Sequence, residues 1–166
     1  MSNIITVVGW PQTLKLVAHG KLPEYLQERF NHREGVFQTT EDFDCLWRVS
    51  NDEVYQCHVP AGLHFDGSSI PWRFRAVGLS RYSRTNWQFA GAITHDPGYQ
   101  GCGRFPDSSN YRNRQLHDML ARDLWHWAGG GRGTIRFKYR TLRMFGWKTC
   151  ETNTIHPEPI MEVKVA

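Results

Sequence analysis

A chain of 166 residues, 40% of them hydrophobic and 22% charged, can bury roughly two-thirds of its unfolded surface around one core and is too apolar to remain disordered. The formal charge of +4 and pI near 9.0 permit an anionic partner, yet acids are mixed with Lys and Arg along most of the chain, which argues against nucleic acid as the main one. Seven Trp, within an aromatic content of 13%, need a core or a partner to cover them.

The opening stretch MSNIITVVGWPQ lacks a basic segment and a long apolar run. Neither a cleavable signal nor a membrane anchor is expected there, and the expected location is a cytoplasm or a particle assembled in it. Up to about Pro71 the runs TLKLVAHG, GVFQTT, CLWRVS and EVYQCHV alternate apolar and polar residues between Gly, Pro and Asn-Asp breaks, which predicts sheet. PEYLQERF interrupts it. Pro23 at a first helical position precedes Tyr25, Leu26 and Phe30 at helical spacing, predicting one short helix. A hairpin turning at Asn51-Asp52 would set Cys45 nearly opposite Cys57. Cys45, Cys57, Cys102 and Cys150 form no CxxC pair, so reduced thiols are expected rather than a zinc knuckle, and a Cys45–Cys57 bridge would need an oxidising compartment.

From Ser83 the period changes. Ser83 or Thr85 can cap a helix carrying Trp87, Phe89, Ala90 and Ile93, and Pro97 should end or kink it at about His95. After the loop PGYQGCGRFPDSSN, the segment NYRNRQLHDMLARDLWHWAG offers Ser109 or Asn110 as cap, a stripe of Leu116, Leu120, Leu124 and Trp127, and Gly129 to Gly131 as a stop. A third helix, TIRFKYRTLRMFGWK, carries Ile135, Tyr139, Leu142 and Phe145, and the tail ends in a short strand, IMEVKV. The expected architecture is one α+β domain: an antiparallel β-rich part over about 1–75, packed on about three helices over about 83–150, with a tail at 151–166.

Three segments carry the chemistry: FDGSSIP, THDPGY and RQLHDML. Asp66, Gly67, Ser68 and Ser69 are turn formers, and equally a loop whose carboxylate and carbonyls can hold a hard cation. His95 near a helix C-terminus suits the helix dipole; Asp96 does not, and needs a cation or a donor to offset it. In the next helix, at about 100° per residue, His117 falls on the margin of the leucine stripe and Asp118 about 200° round toward solvent. His117 is therefore the better candidate to look toward His95, although a core-edge histidine bonded to a backbone carbonyl is its plain reading. Catalytic candidates are His95, His117 and Asp118; metal-ligand candidates are Asp66, Asp96 and His95, and a set that includes His117 would suit Zn²⁺, Mn²⁺ or Fe²⁺. In the third helix Arg136, Lys138, Arg140 and Arg143 interleave with aromatics, as a solvated helix face would, or a surface meeting nucleic acid or an anionic membrane.

The order HFDGSSIP, ITHDPGY, a polar pair before MLARDL, and LRMFGW resembles the phage- and bacteria-associated domain-of-unknown-function family 1353. In that family a D-G-x-S-I-P loop, an H-D-x-x-Y helix and an A-D-x-x-F helix follow one another, which here covers Val59 to about Trp147. The first two motifs match. In the third the leucine spacing puts His117 at the family's Asp position, unless a one-residue shift brings in Asp118. The resemblance implies a phage or prophage origin and, with it, a virion or assembly protein working with other phage proteins or with copies of itself. More distantly, the order is similar to secreted bacterial phospholipases A2, whose H-D-x-G-Y motif is matched by His95, Asp96, Gly98 and Tyr99. That similarity implies His95 as the base that activates water, Asp96 and Asp66 as Ca²⁺ ligands, and an orienting carboxylate that is either Asp118 or missing. Pro97, the absence of the expected disulfides and His117 in place of Asp depart from it. Two functions of different classes follow as expectations: a virion or assembly protein that uses the polar cluster as a clamp, and a Ca²⁺-, Mn²⁺- or Zn²⁺-dependent hydrolase of an ester or phosphodiester.

Overall fold

The alternating segments of the first half form two antiparallel sheets in the computed structural model, which describes residues 4–10, 14–29, 35–65, 86–99, 104–145 and 162–166. One sheet is built from β1 (Ile4–Val8), β4 (Phe43–Arg48), β5 (Val54–Val59) and β7 (Glu162–Val165), in the order β1-β4-β5-β7. The other is built from β2 (Leu14–Ala18), β3 (Gly35–Thr39) and β6 (His64–Phe65), in the order β2-β3-β6. Strands β4 and β5 make the expected hairpin about Asn51-Asp52, and its register pairs Cys45 with Cys57 directly. Both thiols are free and buried. The short helix α1 (Glu24–Arg29) starts directly after Pro23 and buries Leu26 with Leu22 against Val36 of β3. The tail strand falls where the IMEVKV pattern put it, as an edge strand along β5.

Three helices make the second half: α2 (Asn86–Tyr99), α3 (Asn110–Trp127) and α4 (Arg132–Phe145). Ser109 caps α3, its hydroxyl accepting from the Arg112 N–H at 3.2 Å, which satisfies one of the otherwise unpaired amides of the first turn. The leucine stripe of α3 does face the sheet: Leu116, Leu120 and Leu124 pack with Cys45, Trp47, Tyr55 and Cys57. Trp127 does not join it. It is 41% exposed, its ring tilted against that of Trp10 with centroids 5.2 Å apart. Phe89, Ala92 and Ile93 of α2 cover Phe43, Val59, Leu63 and Phe65.

Two expectations fail here for physical reasons. Helix α2 does not end at His95 but runs across Pro97 to Tyr99. A mid-helix proline costs about 3 kcal/mol, and the last turn offsets this by burying Thr94, His95, Asp96, Gly98 and Tyr99 and by tying two of them to α3. Helix α3 is also not one-sided. Beside the leucines it buries His117, Asp118, Ala121, Asp123 and Trp125, because Ala121 and Trp125 pack against Ile135 of α4 and Trp87 of α2. Asp118, Ala121 and Trp125 form a second inward stripe at helical spacing. A stripe defined by leucines alone therefore places Asp118 wrongly in solvent.

Candidate functional site

Where α2 crosses α3, one buried polar cluster gathers His95, Asp96 and Tyr99 from α2 with Asp118 from α3. His95 Nε2 lies 3.1 Å from Asp118 Oδ1 and Nδ1 lies 3.4 Å from Asp96 Oδ1. The Tyr99 hydroxyl, one helical turn beyond His95, donates to the same Asp118 oxygen at 2.5 Å, with its ring lying 4.0 Å from the imidazole centroid. Asp118 Oδ2 accepts from Arg143 of α4 at 2.7 Å, and the Arg143 guanidinium also reaches the Tyr111 hydroxyl at 3.2 Å. A carboxylate with 0% side-chain exposure thus has both oxygens committed to charged or phenolic donors, the condition under which a buried charge is tolerated.

The expectation that His117, rather than Asp118, faces His95 is overturned. His117 is fully buried, edge-on to Phe105 at 4.8 Å, and its ring lies against Gly98, where a Cβ would come within 2.2 Å of Nδ1. It supports the crossing as a packing residue, one position away from the chemistry. Asp96 keeps its unfavourable place in the last turn of α2, and the offset foreseen for it comes from the imidazole beside it.

Electrostatics fix the state of this cluster. Burial by itself pushes the His95 pKa down, but the hydrogen bonds and charges of Asp118 and Asp96 outweigh it and raise the pKa to about 9. Burial raises Asp118, and the His95, Tyr99 and Arg143 contacts more than reverse that, holding it below the ordinary carboxylate value. At neutral pH the pair is imidazolium and carboxylate.

The basic residues of α4 divide. Arg136 and Arg140 stay exposed. Lys138 is 4% exposed, its ammonium 4.5 Å from the Trp125 ring centroid and 5.3 Å from that of Trp87. Burial lowers its pKa to about 8 against the upward pull of the Asp96 charge. Lys138 therefore leaves the predicted basic surface for the interior, and Arg143, half-buried, is committed to Asp118. The sequence signal was present for Lys138, which with Leu142 shares the inward spacing of Ile135.

Asp66 lies outside the described residues. Among the described residues no group of three or more His, Cys, Asp or Glu side chains is arranged to hold a metal ion. Both Asp118 oxygens are engaged, and Lys138 adds positive charge near Asp96. These residues do not by themselves build a cation site, so the expected ligand set is not assembled from them. A surface depression of about 320 Å³ lies elsewhere, beside the β4–β5 turn. Its Glu53 is already bonded by Tyr55 at 2.7 Å and by Arg112 at 2.8 Å, and it contains no histidine. The buried histidine–carboxylate cluster lies at the α2–α3 crossing instead.

No protein-family model, curated protein or solved structure matches the chain. Among the described residues no helix is long and apolar enough to cross a membrane.

Proposed function

We propose that the chain is a hydrolase in which His95 is the general base and Asp118 orients it, acting on an ester or phosphodiester. One observation carries this reading: the His95 Nε2–Asp118 Oδ1 contact of 3.1 Å, with Tyr99 held on the same oxygen. A histidine base needs a fixed tautomer and a stabilised imidazolium, and a buried carboxylate on the far ring nitrogen supplies both. The similarity to phospholipases A2 implies an orienting carboxylate, and the 3.1 Å contact supports reading Asp118 in that role. The long 3.4 Å contact of Nδ1 with Asp96 is weak by hydrogen-bond criteria, and the reaction requires that a water molecule take the place of Asp96 on that nitrogen. Water then gives its proton to Nδ1 as its oxygen attacks the acyl carbon or phosphorus, the ester or phosphoester bond breaks, and the departing alkoxide takes that proton from the imidazolium, while Asp118 holds the Nε2–H.

The raised pKa of about 9 means that the base form accumulates only on the alkaline side, and activity is expected to rise there. Turnover of a panel of aryl esters and aryl phosphodiesters by wild type and by His95→Ala tests the proposal. Wild-type turnover that His95→Ala abolishes while its melting transition persists supports it; equal rates in the two proteins oppose it. Repeating the assay after chelation, and after adding back Ca²⁺, Mn²⁺ or Zn²⁺, decides whether a divalent cation takes part.

A second reading has its own observation, the 5% side-chain exposure of His95 and 3% of Asp96. In it the imidazolium between two carboxylates fastens α2 to α3 in a phage virion or assembly protein, the origin implied by the likeness to family 1353. That reading expects loss of stability, and no loss of turnover, when His95 is replaced.

A further inference from the structure

The sequence of α4 contains five basic residues and no Asp or Glu, and with Lys138 and Arg143 turned inward the remaining Arg132, Arg136 and Arg140 are exposed. At about 100° per residue, Arg136, Arg140, Gly133, Met144 and Phe137 fall within one arc of about 100°, opposite the inward line of Ile135, Lys138 and Leu142. Arg143 and Arg132 lie about 20° and 40° beyond its Arg136 side, Arg143 being drawn to Asp118. On that arc Phe137 is 42% and Met144 63% exposed. Two large apolar side chains held in water beside three guanidinium groups, on a helix anchored by its other face, form a surface with a defined chemical complement.

We infer that the outer face of α4 docks this protein on an anionic lipid surface, with Phe137 and Met144 entering the headgroup boundary and Arg132, Arg136 and Arg140 meeting the lipid phosphates. Charge complementarity selects this occupant. A second copy joined by a two-fold axis would set the same three guanidinium groups against one another. Nucleic acid would satisfy the arginines, but it offers Met144 neither an apolar medium nor a stacking role. The face shares no residue with the His95 cluster, so the inference does not depend on the proposed hydrolase activity.

Co-sedimentation with vesicles of phosphatidylcholine, and of phosphatidylcholine mixed with anionic phosphatidylglycerol, tests it at low and high salt. The expected result is binding to the anionic vesicles that weakens with salt, with a loss of about thirty-fold in Arg136→Gln/Arg140→Gln at low salt. Phe137→Ser/Met144→Ser should lose affinity several-fold while keeping the salt dependence. All four side chains are at the surface, so unchanged melting transitions verify that the variants are folded. Indifference to lipid charge, absence of binding, or variants that bind as wild type does would overturn the inference. Tighter binding to a nucleic-acid duplex than to anionic vesicles would overturn it too and assign the face to nucleic acid.

Discussion

Asp118 carries more of the candidate site than any other side chain, because it holds three donors from two other helices on one carboxylate of 0% exposure. Asp118→Asn keeps the shape and removes the charge. It takes from the buried imidazole the nearer of its two carboxylates and from the Arg143 guanidinium its counter-ion, and breaking a buried pair in this way costs about 3–5 kcal/mol. Thermal or urea unfolding checks that value. The sequence showed which residue types would matter here and misjudged their direction. Asp96 was marked by its poor fit to the end of a helix, and the Tyr99 spacing was visible in the H-D-x-G-Y match. The Asp118 direction was not legible from leucine spacing, since leucines report only the face turned to the sheet. Ala121 and Trp125, three and seven residues beyond Asp118, were the missed signal.

Between elements, the fit of α2 on α3 depends on close backbone approach rather than on leucine packing. A Cβ on Gly91 would come within 2.3 Å of Trp125 Nε1 and 2.9 Å of the Ala121 carbonyl oxygen. The carbonyl cannot rotate away as a flexible side chain can. Gly91→Ala is therefore expected to destabilise the protein by about 1–3 kcal/mol through overpacking, despite the higher intrinsic helix propensity of alanine; a lower unfolding midpoint with an unchanged denaturant slope would be the measured sign. Element type was largely legible. The period-2 runs became strands, the Asn51-Asp52 hairpin brought Cys45 opposite Cys57, and Ser109 is the α3 cap. Of the two readings of Pro97, an end or a kink, the end fails: its local cost of about 3 kcal/mol is visible in sequence, whereas the buried contacts of Tyr99 and His95 that offset it are made across 19 and 23 residues.

For the molecule as a whole, the division into a β-rich half and a helical half follows from the change of hydrophobic period near Ser83, and the structure has this α+β arrangement. Its pH dependence follows from the buried pair. The folded-state pKa of His95, about 9, stands above its ordinary 6.5. Its contribution, roughly 3 kcal/mol, is thus fully present below about pH 6.5 and lost as pH rises through 9. The lowered Asp118 pKa, against an ordinary 3.8, describes the same ion pair from its acidic partner and adds no separate energy. That carboxylate's contribution disappears as pH falls below about 4, so stability should be greatest between about pH 4 and 6.5, as unfolding midpoints across pH would record. The proposed activity runs the other way, since the base works only when deprotonated. The pH profile of kcat/KM on a hydrolysed ester or phosphodiester, for wild type beside Asp118→Asn, tests the catalytic pairing most directly. The expected wild-type rate rises through about pH 9, the His95 pKa, to a plateau above it, and in Asp118→Asn the rate is lower by about 10⁴-fold with its limb moved to lower pH. A flat wild-type profile, or an Asp118→Asn profile that overlays it, would contradict the pairing and leave the cluster as a clamp between two helices.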